Sequence, residues 1–575
     1  MIGGGIILNS TSLHNMDRSD QIKIAEKPED LRGTPLERRE FMSMLKAGGA
    51  LALGSSLAGC AGGGGGSDSD VPEELVIARP SDADLLDPHQ TTDANASRVM
   101  SLLYDGMILM DGDRNFQEML GKGFEVSDDG TEWTIEFNVD SGITFHNGDE
   151  FTIDDVVFTF ERFLEKSLIR SWAVGSMQGV EKVDDRRVKF TFEEPYAFFD
   201  SHAAMNSYFA ILPENLGGKS DEEFAQEPIG SGPYELEEWV KGERITLARN
   251  DDWKTPTYDV VESDDPPVPE KIVWQVIPEA TPRVQGLLSG EVDALMGVPP
   301  RKRENINSSE EATLHSNTGG SIYYVPMHNE LEPTSDVAVR KAIAHAIDKE
   351  RIVSDIYNNA GRINYSPMPA SYPSWAGETV REEVGYEYDL DRAREFLSEA
   401  GWEESGGDYR EKDGETLELS MITPNAPPAT LQSSEEIAAM LGEVGINVNL
   451  TTTQPNTAYS EMAKGETHLM YASLSWFTAD VMQFMLSSAL AGASNLQFLK
   501  DDQVDQYLDE AARTLDNEER ADIYEQMQLR VMELCATVPL MTLAEETAVR
   551  SEFTGYDYLN GAASSIWLDM RLEDD

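Results

Sequence analysis

The chain has two cysteines, Cys60 and Cys535, and the first sits where a thiol can take a modification. Leu57-Ala58-Gly59-Cys60 has the form of a lipobox, in which the cysteine becomes the lipid-modified first residue of a mature chain. The run Met44–Ala58 ahead of it is broken by Gly48, Gly49, Gly54, Ser55 and Ser56. It is shorter and less apolar than a membrane-spanning helix requires. Arg38-Arg39, followed by Glu40-Phe41-Met42, resembles the twin-arginine signal that addresses proteins exported already folded. Basic flank, short apolar run and small residues come in the order of an export signal. Residues 1–60 are therefore expected to be a twin-arginine-type lipoprotein signal, with Met16 as an alternative start. Residues 61–72, rich in Gly, Ser and Asp, are expected to be a tether. Such a tether reaches about 20 Å root-mean-square. With Cys60 carrying lipid, no intramolecular disulfide can form, and Cys535 in VMELCATVP is expected in a core.

Other chemistry is looked for and not found. The eight histidines are scattered, with no HExxH and no CxxC. Gly217-Gly218-Lys219-Ser220 hints at a phosphate loop, but Pro213 stands five before Gly218 where a glycine is needed. Ile229-Gly230-Ser231-Gly232-Pro233 is not a GxSxG elbow. His146, in His-Asn-Gly-Asp, reads as a turn or core histidine. Acidic pairs are so common that solvated surface is the plain reading. No catalytic residue, metal ligand or cofactor is expected.

Residues 1–60 hold seven basic and seven acidic side chains, so the whole charge of −60 falls on the rest: 38 Lys+Arg against 98 Asp+Glu. Such an excess usually means disorder. The 40% hydrophobic content and the periodic segments argue instead for a folded body with an acidic surface. That surface suits an organism living in concentrated salt, where screening shortens to a few ångströms. No basic patch exists to meet nucleic acid. Some 515 mature residues exceed one core and imply two or more domains. Residues 131–139 and 187–193 alternate apolar and polar as half-buried strands. Residues 416–475 read β-α-β-α-β, a covered parallel sheet, with Trp476 and Asp480 beyond its last strand, where ligands of such sheets bind. Residues 502–534 read as two helices split near Asn517. Arg340 is expected to pair with Asp336 four residues earlier. Asn-x-Ser/Thr tripeptides at Asn95, Asn307, Asn364 and Asn449 leave glycosylation open.

Several blocks in order resemble one family, the solute-binding family 5 lipoproteins of peptide and nickel ABC transporters. They are LLDPHQTTD (85–93), the block at 126–163, IGSGPYELEEWVKGERITLARNDDW (229–253), GLLSGEVDAL (286–295), DVAVRKAIAHAIDKERIV (336–353), YDLDRAREFLSEAGW (388–402), GEVGINVNLTTT (442–453) and the helical tail ending at Val538-Pro539-Leu540. They cover nearly all of residues 73–575.

The resemblance implies an α/β fold of the two-lobed periplasmic-binding-protein type (type II, large cluster), with an extra domain in the first lobe. Lobe I would be 73–322 plus 540–575, its inserted subdomain about 101–225, and lobe II 323–539. The lobes would be joined by crossings near Ser321–Val325 and Pro539–Thr542. It implies a receptor, not an enzyme, that captures oligo- or dipeptides by hinge closure and hands them to the permease and ATPase subunits of an importer. The body would be a monomer held by lipid at the extracytoplasmic face of the cell membrane. In peptide-binding relatives an aspartate shortly after a tryptophan holds the peptide's α-ammonium. Here the family's position, three after Trp476, is Ala479, the following proline is absent, and Asp480 would take the role after a one-residue loop shift. Tyr323, Tyr324 and Trp375 are further pocket candidates. Two alternatives stay open: another solute on the same scaffold, such as an oligosaccharide or nickel chelate, and a secreted hydrolase or structural surface lipoprotein.

Overall fold

A computed structural model describes residues 72–110, 116–166, 168–205, 208–255, 268–476, 478–559 and 564–572. Arg38, Arg39, Cys60 and the tether lie outside them.

A nine-stranded sheet runs through the body. Its middle is parallel: Glu74–Arg79 lies between Lys271–Val276 and Ala294–Met296. Leu75, Ile77 and Ala78 are all buried, because helices and loops cover both faces of this strand. Arg244–Arg249 and Tyr234–Val240 extend one side as antiparallel strands. On the other side stand Thr537–Arg550, then Ala312–Pro326, then Ala472–Ser475.

Ala312–Pro326 and Thr537–Arg550 pair along almost their whole length, from Ala312 opposite Arg550 to Pro326 opposite Thr537. Their two ends serve different cores. Ala312 and Ala548 pack with Val284 and Leu287, whereas Tyr323, Val325, Val538 and Leu540 pack with Ile343 and Leu397. Between these ends the register slips from Thr318 to Ser321. Gly319 permits the close pass there, since a Cβ on it would lie 2.6 Å from the Leu543 carbonyl oxygen.

Residues 121–192 form a second, antiparallel sheet in the order Gly121–Val126, Glu132–Phe137, Arg187–Phe192, Met177–Lys182. The expected alternation is present: Trp133, Ile135 and Phe137 are buried, as are Val188, Phe190 and Phe192. The helix Ile153–Glu165 packs here, and its Phe160 meets Phe190 edge-on at 4.7 Å. Thr152 and Asp155 close its first turn in a capping box.

The third sheet is parallel, with Glu418–Pro424 between Asn447–Thr453 and Leu469–Met470. The helices Pro428–Glu443 and Pro455–Ala463 make its crossovers. The expected strand at 467–475 divides at Tyr471. Leu469–Met470 stays in the parallel sheet, while Ala472–Ser475 turns antiparallel to Ala312–Pro326. Tyr471 lies at the break, fully inside, with its hydroxyl 2.9 Å from that of Tyr357. The two helices expected after residue 502 are Asp502–Arg513 and Asn517–Glu533.

Several family-like blocks are fold devices. His146 accepts from the Gly230 amide at Nδ1 and donates to the Gly232 carbonyl at Nε2, joining two distant blocks. Burial pushes this imidazole down to about 4. Gly230 is required, because a Cβ there would fall 1.8 Å from the Leu103 oxygen. Arg340 does not pair with Asp336 as expected. Its guanidinium donates to the carbonyls of Thr334, Ser335, Leu534 and Cys535, and Asp336 caps the helix by accepting from Ala338. Two carbonyls just before its own helix and two at the end of Asn517–Glu533 offer a fuller set of acceptors than one half-buried carboxylate already engaged as a cap. Asn364 is buried with its amide bonded to Met368 and Thr542, which leaves no room for a glycan.

Candidate ligand site around Asp480

The chain leaves Ala472–Ser475, passes Trp476, and starts the short helix Val481–Leu486 at Asp480. This tight return brings three side chains together. The Trp476 indole donates to Asp480 Oδ1 at 3.0 Å, and the Thr478 hydroxyl donates to the same oxygen. Oδ2 faces away from both. It lies 3.4 Å from His202 Nε2, which arrives on the helix Phe199–Ala203. Asp480 is 8% exposed, and His202 is fully buried. No Lys or Arg among the described residues pairs with Asp480.

Aromatic rings wall this junction. Trp172 and Trp476 face each other with centroids 4.9 Å apart. Trp172 also meets Tyr208 at 5.4 Å and His202 at 5.6 Å, both near perpendicular. Phe484 stacks behind Trp476 at 5.5 Å, and the Tyr524 hydroxyl donates to the Ala479 carbonyl. Low local dielectric strengthens any charge contact inside such a wall. Beyond Tyr208, Arg170 places its guanidinium 4.5 Å from that ring's centroid and donates to the Thr91 carbonyl and Ser97 hydroxyl. Burial lowers the Arg170 pKa from its usual value, and burial raises that of Tyr208.

The sequence candidates land unequally. Asp480 and Trp476 are bonded to each other. Tyr324 shares an apolar cluster with Phe198, Val481 and Tyr524, so it underlies the same junction. Tyr323 points into a different cluster and packs against Tyr357 and Tyr471 at 5.6 and 5.9 Å. Trp375 spends its indole N–H on Asn364 at 3.0 Å and its face on the Arg362 guanidinium at 4.2 Å. The strand leading to Asp480 is not the parallel strand expected; it is antiparallel and belongs to the large sheet. His202, Trp172, Tyr208 and Thr478 were not among the candidates. His202 is 276 positions from Thr478, and no local pattern announces that meeting. Among the described residues, no group of three or more His, Cys, Asp or Glu could hold a metal ion. No helix there is long and apolar enough to cross a membrane.

The family model of bacterial extracellular solute-binding proteins, family 5 middle, matches residues 115–495, more than half of the chain. This chain is a family 5 solute-binding protein. The fold is accordingly the two-lobed α/β fold of that family. Curated relatives of this family 5 protein include the oligopeptide-binding protein AppA of Bacillus subtilis, 25% identical over 84% of this chain and 89% of that protein. Heme-binding protein A of Haemophilus influenzae is 26% identical over 75% of this chain and 79% of that protein. The structure of AppA in complex with a nonapeptide superposes with a TM-score of 0.71, at 24% identity, over 88% of this chain and all of that one.

Proposed function

We propose that this family 5 protein is the extracytoplasmic receptor of an ABC importer, and that it captures oligo- or dipeptides by closing two lobes on them. The observation that carries this reading is Asp480: a buried carboxylate, walled by rings, with no Lys or Arg partner among the described residues. A buried ammonium needs a fixed acid, and a buried acid needs a cation. Asp480 and Trp476 hold the peptide's α-ammonium, with Tyr324 beneath them. The similarity to AppA supports a peptide as the solute.

Lobe I comprises 73–322 plus 540–575, with its insertion at about 101–225, and lobe II comprises 323–539. The hinge lies where Ala312–Pro326 and Thr537–Arg550 pass between cores, and the Gly319–Gly320 slip lets it bend. A ligand touching both lobes populates the closed state, because only that state makes both sets of contacts. No bond is broken. The closed monomer docks on a permease, and other subunits supply the ATP-driven work. Lipid on Cys60, after export through Arg38 and Arg39, holds it at the membrane.

The test is thermal unfolding with peptides. Unblocked peptide at a hundredfold its dissociation constant adds about 2.7 kcal/mol, and Asp480→Ala removes most of that gain. An N-acetylated peptide, which has no ammonium, stabilises far less. Equal stabilisation by acetylated and free peptides would refute the ammonium clamp. If no peptide acts but an oligosaccharide or a nickel chelate does, the receptor role stands with a different solute.

A further inference from the structure

His202 faces Asp480 from the opposite side of the junction, and its hydrogen bonds fix what it can offer. Nδ1 lies 2.9 Å from the Ala173 carbonyl oxygen. A carbonyl only accepts, so Nδ1 carries the ring hydrogen. In the neutral ring, Nε2 is then left with a lone pair. That nitrogen has two neighbours, Asp480 Oδ2 and Thr478 Oγ1, each at 3.4 Å. The Thr478 hydrogen is already given to Asp480 Oδ1. Oδ2 is the carboxylate oxygen that neither Trp476 nor Thr478 bonds. With the ring neutral, two acceptors face one small volume inside an aromatic wall, and among the described residues no donor comes between them.

We propose that His202 Nε2 and Asp480 Oδ2 form a paired acceptor for a primary ammonium, so that the receptor selects ligands by their N–H groups and not by charge alone. The inference rests on the reading of Asp480 as the ammonium holder and adds the second residue and the chemical class it selects. An ammonium nitrogen giving one N–H to each acceptor, at ordinary lengths and tetrahedral angles, sets them about 4.7 Å apart. From 3.4 Å the two must part by roughly 1.3 Å, a small movement for a hinge. In the proposed division, His202 belongs to lobe I and Asp480 to lobe II. One ammonium would thus bond both lobes at once, which couples its recognition to closure. A trimethylated ammonium keeps the charge and loses every N–H. It satisfies Asp480 through space but leaves His202 Nε2 facing methyl groups.

The probe is the unblocked peptide that most raises the melting temperature in a di- to nonapeptide panel, together with its Nα-trimethylated form. Binding of both to the purified protein is followed by calorimetry. In the wild-type protein, trimethylation is expected to weaken binding about tenfold or more, the scale of a lost hydrogen bond to a charged group. His202→Phe keeps the ring in its aromatic setting and removes the acceptor. It should weaken the unblocked peptide by a similar factor and the trimethylated one little further. His202→Gln offers a side-chain carbonyl near the Nε2 position and should stay within about threefold of wild type. Should the Phe variant fail to fold, His202→Asn replaces it, since its amide N–H can still donate to Ala173 while its shorter side chain puts no acceptor at the Nε2 position. If the Phe or Asn variant binds unblocked peptide as wild type does, while Asp480→Asn weakens it, His202 has no such role and the Asp480 clamp survives. If trimethylation costs nothing in wild type, charge alone is read and the paired acceptor is wrong. If no unblocked peptide binds, or Asp480→Asn binds as wild type, the clamp itself fails and this inference falls with it.

Discussion

Arg162 grips Asp87 through two side-by-side hydrogen bonds, 2.6 and 3.1 Å long, with both side chains withdrawn from water. His89 Nδ1 lies 2.9 Å from the same guanidinium. Burial pushes His89 down to about 3, so it remains neutral and accepts. The block LLDPHQTTD is thus a clasp that fastens an early loop to the helix Ile153–Glu165. Burial by itself would raise the Asp87 pKa, but the bonds from Arg162 outweigh it and the net shift is downward.

Asp87→Asn should therefore be among the costly substitutions in this fold. Removing one partner of a buried pair costs about 3–5 kcal/mol when the other charge is left alone. Asp221, half-buried and 3.0 Å from the same guanidinium, still partners Arg162, so the loss should fall at or below the low end of that range. The sign with pH follows from the lowered pKa. The Asp87 contribution is present above its unfolded value of about 3.9 and is lost as pH falls through the folded value. Urea unfolding at pH 7 and pH 3 should show the variant's deficit shrinking in acid.

Asp105 should behave in the opposite sense. It is buried with no cation beside it among the described residues, accepting from Thr255 at 2.6 Å and Trp253 at 3.3 Å, and burial pushes it up to about 7. Its neutral form suits the fold. Stability from this site is complete below about pH 4 and is lost as pH rises towards 7. The three-unit shift sets an upper bound of roughly 4 kcal/mol. Asp105→Asn should flatten the stability profile between pH 4 and 7; an unchanged slope would show that Asp105 does not carry it.

Low salt should loosen the whole body. With −60 on the mature part, dilution lengthens screening from a few ångströms to tens, and like charges then repel across the surface. Cooperative unfolding should be lost below some hundreds of millimolar salt. A melting temperature that is constant from low to molar salt would refute the salt-adapted reading.

The export residues can be tested in cells. Cys60→Ser should release the protein or leave an unprocessed precursor, read by membrane fractionation. Arg38→Lys with Arg39→Lys should block export, because lysine lacks the planar fork of the guanidinium. Unchanged retention of the first variant would remove the lipid anchor.

The regular elements were legible because each is written in adjacent residues. Trp133, Ile135 and Phe137 announce a strand by alternation, and Gly445, at φ +88°, marks the end of its helix. The contact of Trp476 with Asp480 was within reach of the sequence for the same reason, the two being four residues apart. The division at Tyr471 was not, since both halves have strand character and only the neighbours decide their direction. Arg340 was misjudged by weighing a local carboxylate over distant carbonyls. The contacts of His202 were invisible because Ala173, Thr478 and Asp480 reach it from separate parts of the chain.

The placement of Thr537–Arg550 has a consequence for synthesis. This strand stands between Ala294–Met296 and Ala312–Pro326, in the interior of the large sheet. A ribosome that has made residues 1–530 has supplied all but one of the sheet's inner strands and cannot close the gap. The large sheet must wait, with Leu295 and Leu314 lacking their partner Ala548, until residues 537–550 have been made. The large sheet is therefore closed late, and a nascent chain truncated before Thr537 should leave Ala294–Met296 and Ala312–Pro326 open to a protease that the longer chain resists.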